Sequence, residues 1–172
     1  MSDWPLAVDL DGTLIAGDVS RSAALAHPFA ALAALPLLIA GRRAGFKRAL
    51  AQAGAAPAMS WRAPFLAWLK EEKARGRALH LITGADQAHA EALAAPLALF
   101  DSIEGSDGET NLIGAAKAAR LVQRFSEGFA YAGDSAHDIA VFARARSIIL
   151  VAPKPGIANA VRALGVPIER HF

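Results

Sequence analysis

An α/β architecture is predicted here, a parallel sheet with helices on both faces and a small helical cap inserted after the first strand. Three observations predict it. Short apolar runs alternate with amphipathic segments of helical length, the pattern of parallel α/β sheets. Polar residues cluster where those runs end, at Asp9–Gly12, Thr83-Gly84 and Gly133-Asp134. A long uncharged stretch after the first run breaks the alternation, so it reads as an insertion.

The first run, Leu6–Val8, is too short for a helix and leads into Asp9, Leu10, Asp11 and Gly12. It reads as a buried strand. Strand alternation puts Asp9 and Asp11 on the same side, and Gly12 allows a tight turn. Ala16–Ser20 is a loop. From Ala23 to Ala40 no residue carries a formal charge with His27 neutral, and Leu25, Phe29 and Leu32 recur at helical spacing. The stretch approaches the length of a membrane span. Pro28 and Pro36 argue instead for two short helices, with Pro36 near the first turn of the second. That second helix becomes basic at Arg42, Arg43, Lys47 and Arg48.

A loop over Gly54–Met59 returns the chain to the core. Pro64–Arg75 reads as an amphipathic helix with Phe65, Leu66 and Leu69 on one face and Lys70, Glu71, Glu72 and Lys73 elsewhere; Gly76 is its stop. Leu79–Thr83 is the second strand, Ala85–Ala95 a helix stopped by Pro96, and Leu97–Ile103 contains a short third strand before the loop Gly105–Thr110. Leu112–Phe125 is a helix with Leu112, Ala116, Ala119, Val122 and Phe125 facing inward. Phe129–Ala132 is the fourth strand, followed by a turn and a short helix through Phe142. Ser147–Val151 is the fifth strand, and Pro155–Leu164 a last helix ended by Gly165. The organisation is therefore a Rossmann-like α/β core over 1–19 and 54–172, with a cap over 20–53.

A chain of 172 residues is long enough for one domain with a full core. The formal charge of +2 does not imply nucleic acid, and no recognition motif for it is present. There is no cysteine, which excludes disulfides and thiolate metal sites and fits a reducing cytoplasm. Met1–Leu6 holds an acid and no basic apolar run, unlike a signal peptide.

Parallel strands bring their carboxyl ends to one edge, where open α/β sheets place their ligands. Asp9, Asp11, Thr83, Lys117, Asp134 and Asp138 are thus expected to converge. Two like charges held together cost free energy unless a cation compensates. A hard divalent ion such as Mg²⁺ suits carboxylate and carbonyl oxygens. A carboxylate beside it is equipped to attack phosphorus. A second carboxyl is placed to protonate the leaving oxygen and then to deprotonate water. A hydroxyl, a lysine and backbone N–H groups stabilise charge on the remaining oxygens.

Four ordered motifs, D-L-D-G-T, L-I-T-G, a following Lys and G-D-S-A-H-D, resemble those of the haloacid-dehalogenase-like (HAD) hydrolase superfamily. They run from Asp9 to Asp138. The resemblance implies Asp9 as nucleophile and Asp11 as general acid/base. It implies Thr83, Gly84 and Lys117 as phosphate ligands, and Asp134 with Asp138 at the Mg²⁺ end. Asp9 and the Asp11 backbone carbonyl would complete the metal's protein ligands. A finer resemblance, carried by D-G-E-T-N-L-I-G-A-A-K-A-A and Y-A-G-D-S, is to the HAD domain fused ahead of UbiA-like polyprenyl transferases; their multi-span half is not in this sequence.

The implied activity is Mg²⁺-dependent hydrolysis of a phosphomonoester, of a small molecule or a lipid, through an aspartyl-phosphate. Dehalogenation is disfavoured, because Asp11 offers a proton that an ester oxygen needs and a halide does not. A second reading is a non-catalytic HAD-fold binding or regulatory module for a membrane prenyltransferase. Plainer readings stand beside each residue. The paired acids form turns, Thr83 caps a helix, Lys117 is a solvated charge, and Asp134 and Asp138 are cap and first-turn acids. The five histidines show no paired ligand spacing and read as structural or exposed. The basic run is a solvated face or a binding site. The apolar run is cap core or peripheral membrane contact. The sequence leaves the oligomeric state open.

Overall fold

The computed structural model describes residues 4–172. The first three residues of the Met1–Leu6 stretch lie outside that range. Six parallel strands form one sheet in the order β3-β2-β1-β4-β5-β6. They are β1 (Leu6–Val8), β2 (Leu79–Asp86), β3 (Ser102–Ser106), β4 (Ala130–Gly133), β5 (Ser147–Leu150) and β6 (Ile168–His171). The helices are α1 (Val19–Ala26), α2 (Pro28–Ile39), α3 (Arg43–Ala53), α4 (Ala63–Ala74), α5 (Gln87–Ala94), α6 (Gly114–Arg124), α7 (Ile139–Phe142) and α8 (Ile157–Ala163).

Strand alternation divides the core in two. Leu6 and Val8 face one side, packing with Phe65, Trp68 and Leu69 of α4 and with Ala90 and Ala94 of α5. Ala7 faces the other, with Leu121 of α6, Phe142 of α7 and Val161 of α8. β1 lies between β2 and β4 and is wholly buried. The strand order reverses beside it, so the crevice at its carboxyl end is where this topology opens a site.

Several sequence expectations are corrected. β2 runs on to Asp86, with its register to β3 shifting between Ile82 and Asp86. The helix expected from Ala85 therefore starts at Gln87, capped by the Asp86 carboxylate, which accepts from Ala88 N at 3.0 Å. The third strand is Ser102–Ser106, and Ala95–Leu97 is a single 3-10 turn. The sequence pattern places β3 too early because S-I-E-G-S lacks an apolar run. β6 was not foreseen, because I-E-R-H is a mostly polar edge strand. It is held by charge: Arg77 is buried between Glu72 at 2.9 Å and Glu169 of β6 at 2.7 Å. Glu72, read from sequence as lying off the apolar face, thus belongs to the interior.

The phase of α6 also differs. Lys117, Ala118 and Leu121 are buried, whereas Ala116, Ala119 and Val122 are exposed. Lys117 must point inward to reach Asp9, and that contact sets the rotation of the helix.

Between β1 and α4 the chain makes three helices, not two. Pro28 stands at the start of α2, where its missing N–H costs nothing. The break falls at His27, and the next at Gly41, whose φ is +75°. Pro36 is carried inside α2 near its C-terminal end. The excursion closes where it began. Ala16 N donates to Ser60 O at 2.8 Å and Arg62 N to Leu14 O at 3.0 Å, around an Ile15–Trp61 bridge. No described helix is long and apolar enough to cross a membrane.

Candidate active site

Asp9 directly follows β1, and its N–H donates to Ala132 O of β4 at 3.0 Å. Asp134 directly follows β4. The end of each central strand therefore delivers one carboxylate. Gly12 makes their approach possible. Its φ is +77°, and a Cβ there would stand 2.4 Å from Asp134 Oδ2. A side chain at that position would displace the acid.

Lys117 Nζ donates to Asp9 Oδ1 at 2.7 Å and to the Tyr131 hydroxyl at 3.0 Å. Tyr131 donates in turn to Asp138 Oδ1 at 2.6 Å. Asp138 Oδ2 accepts from Asp134 N at 3.2 Å, Ser135 N at 3.0 Å and Ser135 Oγ at 2.9 Å. Asp138 thereby locks the turn that presents Asp134. Asp134 itself takes Thr13 Oγ1 at 3.4 Å and the exposed Lys154 at 3.1 Å.

The cluster holds excess negative charge. Burial raises the Asp9 carboxyl to about 7, against the pull of Lys117 and with the help of Asp138 and Asp11. Burial also raises Asp11 to about 6, although its Oδ1 accepts from Val19 N at 2.7 Å. Asp134 is raised too, again by burial. Burial works to lower Lys117, but the carboxylates of Asp9 and Asp138 outweigh it and hold the ammonium charged. An added cation would relieve the remaining repulsion.

The residues fit a hard divalent ion. Asp9, Asp134 and Asp138 each bring a carboxylate oxygen to within 4.8 Å of the others. An all-oxygen set suits Mg²⁺ or a similar ion. Asp9 and Asp134 are the better direct ligands: Asp138 already accepts four buried hydrogen bonds, whereas Asp9 accepts one, from Lys117, and Asp134 has only the long Thr13 contact and the exposed Lys154. The Asp11 side chain is committed to Val19, which is compatible with a contribution through its backbone carbonyl.

These groups line a cleft of about 250 Å³. Lys117, Asp9, Asp11, Asp138 and Gly84 reach it, and Asp134 lies against Asp9 and Asp138. Thr83 is fully buried, and its hydroxyl accepts from Ala85 N at 3.1 Å, a local contact within β2. Of the pair Thr83-Gly84, the glycine lines the cleft.

Sequence reasoning missed Lys47, Tyr131 and Asn111. Lys47 reaches down from α3 to Gly84 O at 2.5 Å and Asn111 Oδ1 at 2.7 Å. Its neighbour Arg48 pairs with Asp86 at 2.7 Å. Half of the basic run is thus a strut onto the core. Burial lowers the Lys47 pKa, opposed by Asp11 and Asp18. Nothing in R-R-A-G-F-K-R separates the inward pair from the exposed Arg42 and Arg43. Tyr131 had a signal: it is the chain's single tyrosine, in an otherwise apolar strand. A buried phenol needs a hydrogen-bond partner. Among the histidines, exposed His137 sits at the cleft edge.

No family model matches the chain. It is 35% identical over 171 residues to the uncharacterized protein y4nM of Sinorhizobium fredii; the match covers 96% of this chain, which spans about one third of that protein, 33% of its length. Solved structures share the fold. A HAD family hydrolase, t0658, from Salmonella enterica serovar Typhi aligns with a TM-score of 0.68 at 20% identity, over 99% of this chain and 67% of that one. An apo phosphoserine phosphatase aligns with a TM-score of 0.67 at 16% identity, over 99% and 94%. A 3-deoxy-D-manno-octulosonate 8-phosphate phosphatase from Moraxella catarrhalis, in complex with magnesium, phosphate and KDO, aligns with a TM-score of 0.57 at 17% identity, over 97% and 74%. The chain therefore has the α/β fold of HAD-family hydrolases. None of these matches bears on the finer likeness to UbiA-fused domains.

Proposed function

We propose that this chain is a HAD-type phosphohydrolase that uses a divalent cation, Mg²⁺ by the hardness of its ligands, to cleave a phosphomonoester. One observation carries the reading: Asp9 is held by Lys117 at 2.7 Å, beside Asp134, with Asp11 lining the same cleft. The fold shared with phosphatases supports it.

In the first step an Asp9 carboxylate oxygen attacks phosphorus and the bond to the ester oxygen breaks. Asp11, raised to about 6, gives its proton to that departing oxygen. In the second step water attacks the phosphorus of the Asp9 acyl-phosphate. Asp11 takes the water's proton, and the phosphorus–Asp9 bond breaks, releasing phosphate. Lys117 and the Gly84 backbone face the non-bridging oxygens. Asp9 and Asp134 would hold the cation, which would supply charge neutralisation for the phosphoryl oxygens. Lys117 also holds Asp9 in place, and Tyr131 and Asp138 hold Lys117.

Turnover of an aryl phosphate with Mg²⁺, measured for wild type and Asp9→Asn, tests the reading. Wild type should hydrolyse it. The variant should lose turnover and keep its circular dichroism spectrum. Turnover surviving in Asp9→Asn would remove the aspartyl-phosphate. No turnover of any phosphate ester by the wild type would favour the binding-module reading. A screen from sugar phosphates to prenyl phosphates then identifies the substrate.

A further inference from the structure

The helix α2 is turned inside out for a water-soluble protein. Its small residues Ala30, Ala31 and Ala34 face inward, where it packs chiefly on α3 with α1 alongside. Its large residues face out. Phe29 is 87% exposed, Leu32 68% and Ile39 80%, and Leu25 of neighbouring α1 is 76% exposed. Leu35 and Leu38 add to the exposed surface. Phe29, Leu32, Leu35 and Ile39 fall on one side at 100° per residue. An outward apolar face of this kind on a monomer marks an interaction surface.

Two features of this face select the occupant. First, no residue of P-F-A-A-L-A-A-L-P-L-L-I has a polar side-chain atom. A protein interface of ordinary size uses directional hydrogen bonds; acyl chains ask for none. Second, the whole excursion from Val19 to Ala53 carries five basic residues and no acid. Lys47 and Arg48 are engaged by Gly84 and Asp86, which leaves Arg21, Arg42 and Arg43 exposed on the same excursion. Two copies meeting through this face would bring like charges together, whereas an anionic lipid surface would satisfy them.

We propose that α2 is an interfacial anchor for anionic membranes. Its twelve residues span about 18 Å at the α-helical rise, well short of a hydrocarbon core of roughly 30 Å. The helix therefore lies in the plane of the surface, with Phe29, Leu32 and Ile39 among the acyl chains and Arg21 and Arg42 at the headgroups. Arg43 begins α3 and lines the catalytic cleft, so docking brings the cleft mouth close to the lipid. The anchor rests on the surface alone and stands whether or not the cleft is a phosphatase.

Vesicle flotation of the full chain tests it, using phosphatidylcholine alone and phosphatidylcholine mixed equally with phosphatidylserine. Wild type should float with the mixed vesicles, and added salt should weaken the binding. Phe29→Glu with Leu32→Glu should reduce binding at least about tenfold with an unchanged unfolding midpoint, since both side chains are exposed. Arg21→Gln with Arg42→Gln should remove the preference for anionic vesicles. The anchor is overturned if wild type stays in solution with both vesicles, or if the glutamate variant floats as well as wild type. It is also overturned if light scattering shows a wild-type dimer that those substitutions dissolve, without vesicle binding. That result would assign the face to a second copy.

Discussion

Asp11 Oδ1 accepts the backbone N–H of Val19, the first residue of α1, at 2.7 Å. The proposed proton donor is thereby fastened to the first turn of the helical excursion. The contact uses one of the amides that a helix N-terminus leaves without an internal partner. One oxygen is taken by α1, and the proposed mechanism uses the other.

Asp11→Asn separates those two tasks, since an amide oxygen still accepts from Val19. Hydrolysis of alkyl phosphates, whose leaving oxygen needs a proton, should fall by about 10²-fold or more. Activated aryl phosphates should lose less than about tenfold, because their leaving group departs unprotonated. Equal losses in kcat on both would remove Asp11 from the acid role. Asp11→Ala should additionally speed amide hydrogen exchange at Val19.

The site's charge predicts a pH dependence of stability. The carboxyls of Asp9 and Asp11 are raised from 3.8 to about 7 and about 6. Between those limits the folded chain binds more protons than the unfolded chain, so stability falls as pH rises. Their contribution is fully present below 3.8 and is lost as pH passes through about 7. In chelator the unfolding midpoint should therefore drop towards neutral pH, relative to Asp9→Asn at the same pH. Mg²⁺ should raise the midpoint and flatten the difference, and Ca²⁺ should restore less turnover, being larger and looser in geometry. Identical profiles with and without Mg²⁺ would contradict a metal between Asp9 and Asp134.

Tyr131→Phe deletes the hydroxyl between Lys117 and Asp138 and leaves two buried charged groups one partner short. The expected cost is about 1–3 kcal/mol in denaturant unfolding. Turnover should fall as well, because Lys117 loses the contact that holds it against Asp9. A neutral outcome in both measurements would show that water replaces the phenol.

Gly12→Ala should be severe for its size. The position has a φ of +77°, and the new Cβ would collide with Asp134. Metal affinity, read by calorimetry, should fall at least about tenfold, in line with the loss of a group that orients a ligand. Gly41→Ala also has a positive φ but meets nothing within 4 Å. It serves as the control for backbone strain, and its metal affinity should match wild type.

The convergence of Asp9, Lys117, Asp134 and Asp138 was legible because each lies a fixed step beyond a strand or inside a helix, and parallel topology does the rest. Gly84 was legible as part of the carboxyl-terminal half of β2. Thr83 was legible as a residue of β2 but not in its orientation, because its hydroxyl is taken by Ala85 N within the strand. Lys47 was hidden because an inward and an outward lysine look alike in a basic run. β3 was expected but placed too early, and β6 was hidden, because edge strands need no apolar run when charge and backbone pairing hold them. The exposure of α2 reversed the ordinary inference from its composition, since large side chains normally mark the buried face.

The clasp at Ile15 and Trp61 sets how this fold can change over time. A segment that leaves and returns at one point has a closure entropy that grows only with the logarithm of its length; doubling it costs about 0.6 kcal/mol. By that cost alone, the stretch between the two ends could lengthen or shorten while the sheet keeps its register. Lys47 and Val19 limit that freedom. A replacement segment must bring back one ammonium for Gly84 and one free amide for Asp11 to keep these two contacts.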